Sequence, residues 1–286
     1  MSYASVKTLL ALLVLCVVPG IVVGGTLDQI KKSGEIRLGY RTDAPPLSFN
    51  DSSGQAVGYS VELCKRIAAA VKDHLKLKEL KTTFVPLTSE DRIDAIINNR
   101  ADIECGATTI TLSRAEKVDF TLMTFVTGGG FLTLANSGID SLANLAGKSV
   151  AVVTGTTSQT ALQKYLQENL IDAKVVMVAD RSEGMKQLQA RKVDAFASDQ
   201  VVLIGEILTA SDPKAYSLGT DLFSFEPYGL VVRRNDADFR LMANRAIAQL
   251  YRSGQIEDLF NRWFGQVGVQ PTPVLRAMYL LGALPE

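Results

Sequence analysis

The stretch Lys148-Ser149-Val150-Ala151-Val152-Val153-Thr154-Gly155-Thr156-Thr157-Ser158 changes character at Thr154. Before that point stands a short apolar, β-branched run; after it, a glycine and three hydroxyls open an amphipathic segment from Ser158 to Leu170. An apolar run with no polar alternation reads as a strand covered on both faces, and a helix directly after it as a crossover connection. The alternation continues with a strand at Lys174 to Val178, a helix at Glu183 to Arg191 and a strand at Val193 to Ala197. Short strands alternating with helices of this length make the fold class α/β, with a mostly parallel sheet.

Upstream the same order of events is already present. Glu35-Ile36-Arg37-Leu38-Gly39-Tyr40 alternates at period two, then a Pro45-Pro46 loop and an Asn50 to Gly54 turn lead into a helix. Its apolar positions Val61, Cys64, Ala68, Val71 and Leu75 share one face, and Ser60 is the predicted N-cap. A strand at Thr83 to Leu87, a helix at Asp91 to Asn98 with Ile93, Ile96 and Ile97 on one face, and a strand at Ala101 to Cys105 follow. The phrase from Asn99 to Gly106 is echoed from Arg191 to Ser198, so two similar lobes are expected. Two stretches read as strands crossing between them: Phe125 to Leu134, loosened by Gly128-Gly129-Gly130, and Phe223 to Arg233. The expected division is residues 26–129 with 226–286 for the first lobe and 130–225 for the second. Helices at Asp236 to Arg252 and Gln255 to Phe264 precede a tail whose apolar piece, Val274 to Leu284, is too short to span a bilayer and should pack on a lobe.

The 286 residues carry 30 Lys+Arg against 30 Asp+Glu, with 47% hydrophobic and 21% charged, an ordinary globular composition. Zero net charge with no basic block argues against nucleic acid as a partner, since phosphate neutralisation needs clustered cations. Residues 1–25 read as a secretory signal peptide: Lys7, an uncharged apolar run from Leu9 to Val23, then Gly24-Gly25. Leu15 before Cys16 is too large for a lipidation cleavage site. Export places the mature chain in the periplasm, where Cys64 and Cys105 either form one disulfide or remain two buried apolar thiols. There is no CxxC, HExxH or histidine cluster, and His74 is the only histidine, so no metal site or cofactor is expected.

In open α/β sheets ligands bind beyond the carboxyl ends of the strands. The residues there are Arg41; Thr88, Ser89 and Arg92; Gly106, Ala107, Thr108 and Thr109, with Arg114 a short loop further; Thr154 to Thr157; Asp180 and Arg181; and Ser198 and Asp199. Four arginines, several hydroxyls and one carboxylate suit a small ligand with more than one carboxylate and one cationic group, and an acidic amino acid fits. Arginine suits carboxylates because its planar fork donates two parallel hydrogen bonds. Gly155-Thr156-Thr157-Ser158 opens a helix, where free N–H groups favour an anion. Each residue also has a plainer reading. Arg41 and Arg181 could be surface charges, Arg92 a solvated first-turn residue, Thr157 and Ser158 mere N-caps, and Asp199 the cap of the helix beginning at Gln200.

At these residues the sequence resembles the extracellular solute-binding proteins that deliver polar amino acids to ABC importers, and among them the glutamate/aspartate-binding branch. The resemblance lies in Thr26-Leu27-Asp28-Gln29-Ile30, Gly39-Tyr40-Arg41, Val57-Gly58-Tyr59-Ser60, Thr88 to Ile93, Glu104 to Thr109, Gly155 to Ser158, Glu226-Pro227-Tyr228-Gly229 and Arg262-Trp263-Phe264. It implies a two-lobed type II periplasmic-binding fold that closes by a hinge, without catalytic residues, working as a monomer with a membrane permease. It implies that Arg114, Thr109 and the Thr157 backbone, beside Thr156, hold the α-carboxylate of glutamate or aspartate, that Asp199 holds the ammonium, and that Arg41, Ser89 and Arg92 recognise the side-chain carboxylate. Ala107 stands where serine is usual. Arg181 stands where histidine is expected, which leaves three readings: a tighter grip on a dicarboxylate, a wider ligand range, or a side chain turned to solvent. Some proteins of this fold resemble cyclohexadienyl dehydratases, and a sensory ligand-binding role is a third reading.

Overall fold

The structure is a computed structural model describing residues 24–265 and 269–286; the expected signal segment lies outside them, save Gly24 and Gly25. The chain opens with α1 (Thr26–Ser33) and β1 (Glu35–Arg41), then a small sheet of β2 (Asp43–Ala44), β3 (Ser48–Asn50) and β4 (Ala56–Val57). There follow α2 (Tyr59–His74), β5 (Lys81–Leu87), α3 (Arg92–Ile97), β6 (Ile103–Glu104) and α4 (Leu112–Ala115). The long β7 (Val118–Leu134) leads to β8 (Ser149–Val153), α5 (Thr157–Glu168), β9 (Lys174–Val178), α6 (Arg181–Gln189), β10 (Ala195–Asp199), α7 (Gln200–Thr209) and β11 (Tyr216–Leu218). The chain returns along β12 (Ser224–Arg233) and ends in α8 (Ala237–Arg252), α9 (Gln255–Trp263) and α10 (Pro273–Gly282).

The main sheet has the order β5-β1-β6-β12-β7-β10-β8-β9, with β11 also on β7. It is parallel at each end, where β1 pairs with β5 and β6 and β8 with β9 and β10. Between these ends β7 and β12 run antiparallel to each other and carry the chain from one lobe to the other and back. In β8, Val150 and Val152 enter one core with Leu142 and Leu162, whereas Ala151 and Val153 enter another with Leu188 and Leu203. A strand whose alternate residues feed two cores has no solvent face, which is why it reads as a continuous apolar run. The first lobe has one large core in which Ile36, Leu38, Leu63 and Ile67 meet Phe239, Ile247 and Phe260 of the returning helices. There α10 packs through Leu275, Met278 and Tyr279, whose hydroxyl lies 3.0 Å from that of Tyr59.

Some local readings change. Gly58, at φ 128°, is the N-cap of α2; Ser60 lies inside the first turn, buried, and donates its N–H to the Leu47 carbonyl at 2.8 Å. Ile97 is 41% exposed, so α3 packs through Ile96 and in part Ile93. Gly128, Gly129 and Gly130 do not loosen the crossing: they sit inside the paired β7 with no positive φ. Gly128 and Gly129 are small because the returning chain is close, whereas a Cβ on Gly130 would meet nothing nearer than 3.6 Å. A Cβ on Gly128 would stand 2.7 Å from Leu222 Cδ1 and 2.8 Å from the Ser224 carbonyl oxygen.

Cys64 of α2 and Cys105 at the end of β6 are bonded, with Cα atoms 6.0 Å apart. The bond pins a helix of the first lobe to the residue immediately before the Gly106–Thr109 strand end. It closes a loop with a sequence separation of 41, for which chain entropy gives about 4 kcal/mol of stabilisation. Replacing both cysteines by alanine should lower the free energy of unfolding by a large part of that amount. Urea denaturation of the two proteins, with and without reductant, measures it; equal midpoints would show that the bond adds nothing.

Candidate functional site

The strand ends of the two lobes meet. Thr109 Oγ1 lies 3.1 Å from Thr157 Oγ1, Gly155 faces Glu90, the Arg181 N–H donates to Asp43 Oδ2 at 3.2 Å, and Gly205 of α7 packs against the Pro45 carbonyl. Parallel strands produce this placement because each delivers its following loop to the same sheet edge. The sequence-derived residues Arg41, Ser89, Arg92, Ala107, Thr109, Arg181 and Asp199 are all buried there, while Arg114, Thr156 and Thr157 are partly covered.

The arginines are not surface groups. Arg41, Arg92 and Arg181 are 2%, 3% and 2% exposed, which removes the solvent-facing readings for all three. Arg41 closes β1, Arg92 opens α3 and Arg181 opens α6. Arg41 Nη2 donates to Asp43 Oδ1 at 2.5 Å, while Arg41 Nε and Nη1, Arg92 Nε and Ser89 Oγ have no protein partner. Burial, reinforced by the neighbouring Arg41 charge, pushes the Arg92 guanidinium down to about 9, still protonated at neutral pH. Burial and Arg181 likewise lower Arg41, against the pull of Asp43 and Glu104. Arg114, on the one-turn α4, donates Nη1 to the Thr109 carbonyl at 2.9 Å; burial lowers it too.

The plainer cap readings resolve differently. Thr156, not Thr157 or Ser158, caps α5, its Oγ1 accepting the Gln159 N–H at 3.2 Å. Thr157 Oγ1 is thereby left to face the first lobe. Asp199 makes no side-chain cap on α7. Its carboxylate accepts Ser158 Oγ at 2.5 Å and the Tyr228 hydroxyl, and no ion pair to it exists among the described residues.

Sequence reading missed several acids. Glu104, fully buried and without a side-chain partner, is set among Arg92, Arg41 and Arg114; burial raises it, although those cations pull the other way. Glu226 accepts from Thr109 Oγ1 at 2.5 Å, Thr157 Oγ1 at 2.7 Å and Ser224 Oγ at 2.6 Å, and burial with the Asp199 charge raises it. Asp43 pairs with Arg41 and Arg181; burial pushes it up, but the two guanidiniums outweigh that and hold it below its ordinary value. Signals existed: an acid inside an apolar strand at Glu104, and one two residues beyond Arg41. Beside these groups opens a groove of about 550 Å³, lined in part by Thr109, Arg114, Thr156, Thr157 and Glu226.

Comparison with known proteins adds four findings. Residues 36–266 match the family model of bacterial extracellular solute-binding proteins, family 3. The chain is 34% identical over 241 residues to the glutamate/aspartate import solute-binding protein of Escherichia coli K12, covering 84% of this chain and 80% of that one. To the L-glutamate/L-aspartate-binding protein of Pseudomonas aeruginosa it is 35% identical over 243 residues, covering 85% and 80%. Among solved structures, an ancestral amino acid-binding protein described as a precursor of cyclohexadienyl dehydratase superposes with a TM-score of 0.72 at 30% identity, covering 84% of this chain and 99% of that one.

One titration follows from the geometry. Burial, with Asp43 and Asp180 adding to it and Arg181 opposing, pushes Glu206 of α7 up from 4.5 to about 7. The folded chain therefore holds a proton that the unfolded chain releases near 4.5, and this contribution to stability is full below that value and lost as pH rises through about 7. Relative to Glu206→Gln, the wild type should lose stability between about pH 5 and pH 7.5. Urea midpoints of both proteins at the two pH values test this; a constant difference would refute it.

Proposed function

The chain belongs to the bacterial extracellular solute-binding proteins of family 3, and we propose that it captures glutamate or aspartate between its lobes and delivers it to an ABC transporter permease. The observation that carries this reading is the set of buried donors without protein acceptors: Arg41 Nε and Nη1, Arg92 Nε and Ser89 Oγ. Donors removed from water and left unpaired are costly, so a carboxylate seated among them gains more than it would on a surface. The relatives named for glutamate and aspartate agree with that chemistry.

In this reading Arg41, Ser89 and Arg92 take the side-chain carboxylate. Arg114, Thr109 and Thr157, beside the capping Thr156, take the α-carboxylate, and Asp199 takes the ammonium. Asp199 suits the last role because its two partners are neutral hydroxyls, which orient the carboxylate without cancelling its charge. Ala107 lies among them without a hydroxyl to give, so any contact there comes from backbone. Glutamine and asparagine would be rejected because they leave a buried guanidinium without its anion, a larger penalty than a missing methylene. The lobes are residues 26–129 with 226–286, and 130–225.

Binding is the whole of the reaction. The ligand touches both lobes, so its affinity differs between open and closed forms, and only such a difference shifts the population. We read the chain as a monomeric periplasmic carrier and not an enzyme. His74 lies in a separate groove with Asp28, Lys31 and Arg245, and Cys105 is held in the disulfide, so neither offers a nucleophile or base at the cleft. The disulfide supports an oxidising compartment.

Calorimetric titration of the refolded, ligand-stripped protein should show micromolar or tighter binding of glutamate or aspartate, and none of comparable strength for glutamine, asparagine, arginine or histidine. Arg114→Ala should weaken the acidic ligand at least tenfold, about 1.4 kcal/mol; a change within twofold would remove Arg114 from the α-carboxylate. Closure has its own test in Gly205→Ala. The methyl group would sit on the Pro45 carbonyl oxygen when the lobes meet, yet alanine is the better helix former by about 1 kcal/mol. The variant is expected to melt no lower than wild type without ligand and to bind every ligand more weakly. Unchanged affinity would mean that closure does not bring α7 onto that loop.

A further inference from the structure

Asp43 sits between two guanidiniums that come from different lobes. Its Oδ1 takes Arg41 Nη2 at 2.5 Å and stands 3.5 Å from Arg181 Nη1, while its Oδ2 accepts the Arg181 backbone N–H at 3.2 Å across 138 residues of sequence. The Asp43 side chain is only 14% exposed, and Arg181, with Nε 3.4 Å from Ser198 Oγ, is held against the same end of the cleft. Arg181 is therefore not turned to solvent, and its charge is paired with Asp43 although its Nη1 has no hydrogen-bond acceptor.

The charges at this end explain why the pairing matters. Three buried guanidiniums, Arg41, Arg92 and Arg181, face two carboxylates, Asp43 and the fully buried Glu104. Among these five side chains one positive charge remains, the complement of one carboxylate; Arg114, which also stands near Arg92 and Glu104, belongs in the proposed reading to the α-carboxylate. Were Asp43 neutral, two would remain, and the end would suit a dianion; were Arg181 neutral, none would remain, and a carboxamide would fit as well. Asp199, Tyr228 and Glu206 also face Arg181, and Asp180 faces Glu206.

We infer that Asp43 is a specificity-determining residue: by neutralising Arg181 across the lobes it tunes the far end of the cleft to a single side-chain carboxylate. Arg181 acts as half of that neutral pair, and the same pair clasps the lobes when they meet. This inference rests on the acidic amino acid reading and adds to it the means by which side-chain charge is counted.

The test uses three ligands of similar backbone whose side chains carry zero, one and two negative charges: glutamine, glutamate and γ-carboxyglutamate. They are titrated calorimetrically at about pH 6, where Glu206 holds its proton. Asp43→Asn should raise the affinity ratio of γ-carboxyglutamate to glutamate at least tenfold. Arg181→Gln should raise the ratio of glutamine to glutamate at least tenfold. The double variant, with the net charge restored, should return both ratios to within about threefold of wild type. Ratios that stay constant while all affinities fall together would reduce the pair to a clasp and overturn the inference. A wild type that binds none of the three would overturn the acidic-ligand reading and this inference with it; a wild type that binds glutamate while the variants keep its ratios overturns this inference alone. Thermal melts report folding of each variant, and Arg181→Gln and the double variant decide the matter if Asp43→Asn alone does not fold.

Discussion

A guanidinium taken out of water must meet anions or acceptors, because its charge loses hydration that a protein interior does not return. Three of them are taken out of water here within one cleft, and a fourth partly so. The chain answers with acids of its own, Asp43 and Glu104 among the three buried guanidiniums and Glu226 and Asp199 nearer Arg114, yet Arg41 Nε and Nη1 and Arg92 Nε keep no acceptor. In the proposed reading the lobes meet over an anion that supplies those acceptors. The two parallel sheet ends bring loops with this charge pattern edge to edge, and the antiparallel pair of β7 and β12 joins the lobes that the proposal has approach and part.

Position is enforced from several directions at once. The end of β6 is held by the disulfide at Cys105, by pairing of β6 with β1 and β12, and by the bridge between Thr109 and Tyr228. Gly106 follows at once, and a Cβ there would have to displace the Glu104 carboxylate and would stand 3.0 Å from Arg41 Cγ. Thr109, Thr157 and Ser224 all donate to Glu226, so hydroxyls from the strand ends and the returning strand are gathered on one carboxylate before any ligand is considered. Groups fixed in this way lose little further freedom when they bind.

Much of this was legible in the sequence, for a definable reason. Strand and helix order follow from local apolar periodicity, and in a parallel sheet that order also fixes which residues stand at the functional edge. Arg41, Ser89, Arg92, Thr109, Thr157 and Asp199 could thus be picked out from position alone. What was not legible is pairing across the chain. Nothing near Asp43 indicates that it meets Arg181, and nothing near Thr109 indicates Glu226, 117 residues on. Burial of an arginine is likewise decided by the opposing lobe rather than by its own neighbours, so a surface reading and a site reading of Arg181 look alike in sequence. The same limit explains Gly128 and Gly129, where three glycines in a row suggest slackness and the packed structure uses them for close approach.

The two ends of the cleft solve different problems. At the Asp199 end a carboxylate is oriented by the neutral hydroxyls of Ser158 and Tyr228, the setting to which the proposed reading assigns the α-ammonium that all amino acids share. At the Arg41 end Asp43 and Glu104 stand among the buried guanidiniums, and on the inference drawn above the charge left over distinguishes one side chain from another. A site with fully uncompensated arginines would bind anions strongly but indiscriminately, and would repel its own lobes in the absence of ligand. Supplying internal carboxylates lowers that repulsion, so a ligand bearing one further negative charge completes the balance and draws the lobes together. In the proposed reading discrimination and closure are a single electrostatic event, because the charge that identifies the ligand is also the charge that the closed form requires.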